Sequence, residues 1–309
     1  MSKTKGTIYG IIAAISYGTN PLGALSLYQE GIHVNSVLFY RYALAALVIL
    51  MILFVKKESL KINKLELKIV SLLGLLFASS SLTLFTSFHY MDAGIASTLL
   101  FVYPIMVAVL MAVFFKEKIS ATTILSIALA LTGISLLSNG GDGETLNLTG
   151  VILVLISSLT YAIYIVIINQ SAIKMSVFKL TFYVLVFCVL TTVTYSLFGG
   201  GEPIQWLTTS SSWGYVWMLA IVPTVISLIT MTLAVNSIGS TPTAIMGALE
   251  PLTAVIIGVS IFGEQLTINL VLGIFIILVS VILIIAGKSI SFKFIQEIVH
   301  KGSTNLKLK

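Results

Sequence analysis

Apolar runs long enough to cross a bilayer recur along the whole chain, and the lysines between them all fall on one side. At ~1.5 Å per residue, a helix needs roughly 20 residues to cross a hydrocarbon core of ~30 Å. Such stretches run over 6–28, 36–55, 69–90, 95–115, 121–138, 150–169, 177–198, 213–236, 243–262 and 268–287. With the N-terminus placed in the cytoplasm, Lys3, Lys5, the cluster Lys56, Lys57, Lys61, Lys64 and Lys68, then Lys116, Lys118, Lys174 and Lys179, and the tail from Lys288 to Lys309 are all cytoplasmic. The opposite side holds Glu30, Asp92, Asp142, Glu144, Glu202 and Glu264. This positive-inside bias predicts an all-α integral membrane protein of ten transmembrane helices with both termini cytoplasmic. A missed or invented helix would scramble the pattern.

A chain of 309 residues that is 58% hydrophobic and 9% charged has too little polar surface to cover a soluble globule. Its formal charge of +6 is spread over loops beside helix ends. There it meets anionic headgroups, so nucleic acid is not an expected partner. The single cysteine, Cys188, lies inside the seventh stretch, which excludes an intramolecular disulfide and makes it a small apolar filler. Lys3 and Lys5 before an apolar run imitate a signal peptide, but the run is long and Ala24-Leu25-Ser26 is a poor cleavage site. The run is read as the first helix, retained. No loop is large enough for a soluble domain. After Gly287, the segment with Phe292, Phe294, Ile295, Ile298 and Val299 among charges fits either an amphipathic surface helix or a frayed tail.

Enzyme signatures are missing. There is no HExxH pair, no Gly-x-Ser-x-Gly elbow and no Walker loop. His33, His89 and His300 are too few for a metal site, and no cofactor is expected.

The two halves of the chain match each other. Gly6 to Tyr17 aligns with Gly150 to Tyr161 without a gap. Tyr103-Pro104 followed by Glu117-Lys118-Ile119-Ser120 aligns with Glu250-Pro251 followed by Glu264-Gln265-Leu266-Thr267, with thirteen residues from proline to glutamate in both. The units are 6–138 and 150–287, followed by a basic cytoplasmic tail over 288–309. Each unit holds five helices, an odd number, so the second enters the membrane from the opposite side. Inverted repeats of this kind place a substrate site near the midplane and support alternating access.

The residues that carry this alignment also carry a resemblance. Phe114-Phe115-Lys116-Glu117-Lys118-Ile119-Ser120 after Pro104, repeated as Leu249-Glu250-Pro251-Leu252-Thr253-Ala254 with Phe262-Gly263-Glu264-Gln265-Leu266, resembles the EamA family of the drug/metabolite transporter superfamily. The resemblance spans 6–287. It implies two inverted five-helix repeats, with the first four helices of each around a central cavity and the fifth peripheral. It also implies transport of small metabolites, often amino acids, frequently as export across the cell (inner or plasma) membrane. Multidrug and nucleotide-metabolite exporters belong to the same superfamily. A channel or receptor-like binding protein without alternating access is the rival from another class. Self-association is left open.

Two ionisable residues lie well inside the membrane, Arg41 and Glu250. Charge at that depth is costly, so such residues face a cavity or a partner. Arg41 would grip a substrate carboxylate, against a purely structural clamp. Glu250 would bind a substrate amine or exchange a proton, against a packing carboxyl. Pro104 and Pro251 each remove a helical hydrogen bond and are the expected gating bends. Tyr17 and Asn20, and likewise Tyr161 and Tyr164, share a helical face, and Tyr103 lies equally deep. These side chains, with His89 near the rim and Asn236 at the matching place in the second repeat, complete the expected substrate site. Gly6, Gly10, Ala14 and Gly18 form a small-residue stripe for close helix packing. Glu117 and Glu264 mark helix ends, where capping of loop residues is expected.

Overall fold

The computed structural model describes residues 3–116, 121–138, 147–171, 175–198, 201–238, 243 and 246–283. The tail over 288–309, Glu117 and the 140–144 loop lie outside the described residues. Among the described residues the secondary structure is helical, with no strand. A helix satisfies its backbone within one segment, which hydrocarbon demands. In chain order the helices are α1 (Lys3–Gly18), α2 (Asn20–Gln29), α3 (Val34–Val55), α4 (Lys64–Ser87), α5 (Ala93–Leu100), α6 (Tyr103–Phe115) and α7 (Ala121–Ser138). There follow α8 (Leu148–Gln170), α9 (Val177–Phe198), α10 (Ser210–Ala220), a π-helical stretch (Ile221–Ile226) and α11 (Ser227–Ile238). The last two are α12 (Leu249–Phe262) and α13 (Ile268–Leu283). Among the described residues six segments are long and apolar enough to cross a membrane: α3, α4, α5 with α6, α8, α9, and α10 through α11. The helices α7, α12 and α13 are apolar but shorter.

Three breaks depart from the uninterrupted stretches read from hydropathy. The first stretch divides at Thr19, and α2 restarts with Pro21 in its opening turn. The fourth divides at Phe101–Val102, and α6 restarts with Pro104 in its opening turn. The ninth turns at Gly247–Ala248 before α12, where Pro251 is the third residue. A proline in the first helical turn forfeits no bond, because those N–H groups have no partner inside the helix. The expected bends at Pro104 and Pro251 are therefore made by ending one helix and starting another, a few residues before the ring.

Packing joins the first half of the chain to the second. Helix α1 runs along α11, α8 along α4, α3 along α9, and α12 against α5. The small-residue stripe permits the first of these approaches. A Cβ at Gly6 would lie 2.7 Å from both Ile238 Cγ2 and Ser237 Cβ, and one at Gly10 would lie 3.7 Å from Ala234 Cβ.

Among the described residues, the loops that carry Glu30, Asp92, Glu202 and Glu264 lie at one end of the bundle and those that carry Lys61 and Lys179 at the other. At the acidic end Gln205 is pinned from several sides. Its Oε1 accepts from the His33 N–H at 2.7 Å, its N–H donates to Ser36 Oγ at 2.8 Å, and its carbonyl accepts from the Tyr40 hydroxyl at 3.0 Å. Asn35 adds a bond to the Glu202 carbonyl at 2.8 Å. At the basic end Lys179 Nζ donates to the Lys61 carbonyl and the Tyr183 hydroxyl to that of Leu60, while Lys56 Nζ sits 3.9 Å from the Phe178 ring centroid. Buried Cys188 donates to the Gly74 carbonyl at 3.4 Å, a filler as expected.

Candidate functional site

A cavity of about 150 Å³ lies among the helices and is lined by Tyr17, Arg41, Phe77, Leu100, Tyr103, Tyr161, Tyr164, Thr181, Val184, Leu185, Pro223, Thr224, Ser227, Leu228, Met231 and Glu250. Its wall draws on α1, α3, α4, α5, α6, α8, α9, the π stretch, α11 and α12, and on neither α7 nor α13. Thr181 and Met231 bring it within about two turns of the basic end.

The breaks build the site. Because α6 begins after Phe101–Val102, Tyr103 is its first residue, and because α12 begins after Ala248, Glu250 is its second. Both helix N-termini therefore open at the cavity wall, bringing the positive ends of two helix dipoles to it. A carboxylate in a first turn is favoured by that field. Gly18 lets α1 approach: a Cβ there would lie 2.6 Å from the Glu250 carbonyl oxygen and 2.5 Å from Thr253 Cβ. This closeness seats Tyr17 beside Glu250.

Arg41 is 2% exposed. Its guanidinium carbon lies 5.4 Å from the Phe85 ring centroid and 5.9 Å from that of Tyr42, cation–π distances that stabilise a desolvated charge. Its Nε–H donates to Thr224 Oγ1 at 3.0 Å, and the Thr224 hydroxyl donates to the Leu219 carbonyl at 2.9 Å. That second bond reaches back five residues, matching the wide turn of the π stretch. Thr224 thus ties the widened helix to the buried cation. Tyr17 is close enough to both Arg41 and Glu250 for their charges to act on its hydroxyl. The Glu250 carboxyl has no hydrogen-bonding partner among the described residues.

Aromatic rings form one wall. Tyr103 meets Tyr161 edge-on at 4.8 Å, Tyr161 stacks on Tyr164 at 5.7 Å, and Phe77 lies 5.5 Å from Tyr164. Such pairs add stability beyond the area they bury and keep the rings in place.

Six of the expected site residues therefore converge: Tyr17, Arg41, Tyr103, Tyr161, Tyr164 and Glu250. They include both partners of the internal alignment, Tyr17 with Tyr161 and Tyr103 with Glu250. The others lie elsewhere. Asn20 opens α2 with its Nδ2 donating to the Tyr17 carbonyl at 2.8 Å, while its buried Oδ1 has no partner among the described residues. His89 is in the turn after α4, which ends at Ser87, and stacks on Tyr28 at 4.5 Å. It belongs to a separate cleft of about 380 Å³ at the acidic end, shared with Gln29, Asp92 and Glu264. Burial and the nearby His33 charge hold its imidazole below the usual range. Asn236 is exposed on α11. Pro104 and Pro251 do not line the cavity but shape it through the breaks. Phe77 and Thr224 were not anticipated. A threonine in an apolar helix ordinarily bonds its own backbone and gives no sign of a distant partner.

Comparison with known proteins gives the context. The profile of the EamA-like transporter family matches residues 4–139 and again 148–286. An uncharacterized transporter of Clostridium kluyveri is 24% identical over 294 residues, covering 90% of this chain and 92% of that protein. The uncharacterized transporter YcbK of Bacillus subtilis is 24% identical over 277 residues, covering 87% and 88%. A solved crystal structure at 17% identity superposes with a TM-score of 0.66 over 91% of this chain and 96% of its own, a likeness of fold.

Proposed function

The chain belongs to the EamA-like transporter family and is a multi-pass membrane transporter, and on that premise we propose that it is a secondary carrier of small zwitterions, amino acids first among them. The observation that carries the reading is that Arg41 and Glu250 line the same cavity. One supplies a permanent cation for a carboxylate, aided by the two helix N-termini, and the other supplies an acceptor for an amine. The tyrosine wall offers a face to the rest of the molecule. Size narrows the class further: a cavity of about 150 Å³ holds a ligand of about benzene's size. Larger amino acids need it to widen.

The units over 6–138 and 150–287 are read as inverted repeats that rock about this site, in ten spans with both termini cytoplasmic. The positive-inside bias puts the basic end in the cytoplasm. A cavity whose lining reaches Thr181 and Met231, toward that end, fits loading from inside, the first half of an export cycle.

The test is growth of an overexpressing strain across amino acids and toxic analogues, followed by counterflow in proteoliposomes with the substrate so found. Saturable counterflow is expected, and a channel gives none. Arg41→Lys should weaken recognition of the carboxylate more than of its carboxamide, and Glu250→Gln should weaken recognition of the amine. Normal transport by both folded variants would remove the zwitterion reading.

A further inference from the structure

We infer that Glu264 is a positioning residue that latches the half-helix α5 to the second half of the chain, and that its release lets the acidic end open toward the cavity. The inference rests on the alternating-access reading above.

The half-helix α5 connects two places that matter. One end, Leu100, is cavity wall, and the turn at Phe101–Val102 separates it from α6. That end is held by the Ser158 hydroxyl of α8, which donates to the carbonyls of Leu99 at 3.4 Å and Leu100 at 3.2 Å. The other end lies at the acidic face, where the first N–H groups of any helix need outside acceptors. Asp92 occupies the capping position yet makes no side-chain capping bond. Glu264, from just beyond the other end of the chain's partner half-helix α12, supplies both. Its Oε1 accepts from the Ala93 N–H at 2.7 Å and its Oε2 from the Gly94 N–H at 3.2 Å.

Two glycines leave room for this contact. A Cβ at position 258 would lie 2.0 Å from Glu264 Oε2, and one at position 94 would lie 2.9 Å from Val255 Cα. Burial and the neighbouring Asp92 push the Glu264 carboxyl above its usual range, while the two N–H groups pull the other way. With α5 pinned at its acidic end, the wall at Leu100 is fixed; with that end free, α5 is a short lever hinged at Phe101–Val102.

Pulsed electron paramagnetic resonance on the purified full chain tests the latch without a substrate. In a Cys188→Ser background, nitroxides are attached at Tyr90→Cys and Ile261→Cys, both exposed beside the contact. One dominant short distance is expected. Glu264→Gln should raise the ratio of a longer-distance population about tenfold or more, the ratio set by losing a charge-assisted hydrogen bond. Gly258→Ala should do the same with the carboxylate intact, and it carries the test if Glu264→Gln does not fold. Asp92→Asn should leave the distribution as in the parent, and an equal shift there overturns the inference. So does a lower melting temperature in Glu264→Gln and Gly258→Ala with the single distance unchanged, since that is what a merely structural contact gives. Absence of counterflow in the parent would sink the transport reading by itself, independently of the distances.

Discussion

Gly18→Ala tests whether the crossing of α1 and α12 places the Glu250 carboxyl. A Cβ added there would lie 2.6 Å from the Glu250 carbonyl oxygen and 2.5 Å from Thr253 Cβ. Non-bonded carbons rest ~3.5 Å apart, so the two helices must separate by roughly 1 Å. Neither obstacle is the end of a flexible side chain. Overpacking of this kind costs about 1–3 kcal/mol, offset in part by the gain of up to ~1 kcal/mol for alanine over glycine in a helix. The larger effect is on function, because Glu250 rides on α12 and a misplacement of ~1 Å at a recognition site costs up to about 100-fold. Gly10→Ala is the internal control. Its clash is with Met246 Sδ at 2.5 Å, and methionine can rotate away, leaving the propensity gain. Both variants would be followed by thermal melting in detergent and by counterflow. Gly18→Ala should lose most of its flux while remaining folded, and Gly10→Ala should transport as the parent does. If the two behave alike in both assays, the close approach at Gly18 does not set the site.

Three further outcomes are expected. Thr224→Val removes the acceptor of Arg41 Nε–H and should lower the melting temperature and the affinity for a carboxylate substrate, each hydrogen bond to a charged group being worth about 1.5–3 kcal/mol; Thr224→Ser should restore both. The hydroxyls of Ser211, Ser212 and Thr209 hold the Glu30 carboxyl below its usual range, so their stabilisation is full above pH ~4.3 and fades as pH falls through the lower folded value; the protection of amides at the start of α10 relative to their intrinsic exchange rate at each pH should fall over that window in the parent and not in Glu30→Gln. With Cys188→Ser as background, a cysteine at Trp206 should react with an impermeant thiol reagent applied outside the cell and one at Ser59 should not, and the reverse would overturn the orientation.

The fate of individual residues shows what kind of structure is legible in a sequence. Tyr17, Tyr161 and Tyr164 were found from depth and shared helical face, two quantities that follow from a 3.6-residue period. Arg41 and Glu250 were found because charge inside hydrocarbon demands a partner or a cavity. Depth alone failed for His89, because α4 ends at Ser87 and the imidazole lies in a turn rather than on a helical face. The repeat match did not bring Asn236 to the cavity, because the facing direction of α11 follows from its packing against α1. The breaks at Thr19, Phe101–Val102 and Gly247–Ala248 were displaced from the prolines that signal them, since a ring is accommodated in the first turn of a new helix rather than at a kink. The pairing of Thr224 with Arg41 spans 183 positions. Neither residue carries a local signal of the other.

That separation bears on how the protein is made. The acceptor for Arg41 arrives with Thr224, and the cap of α5 with Glu264, 171 positions after Ala93. A ribosome that has delivered only the first repeat to the membrane has placed a cation in the bilayer without its hydroxyl and a half-helix without its cap. The first repeat must wait in an unfinished arrangement until almost the whole chain has been inserted. A gene product truncated after residue 138 is therefore expected to be a target for quality-control proteolysis, while the segments before and after it, synthesised as separate polypeptides in one cell, are expected to complete each other.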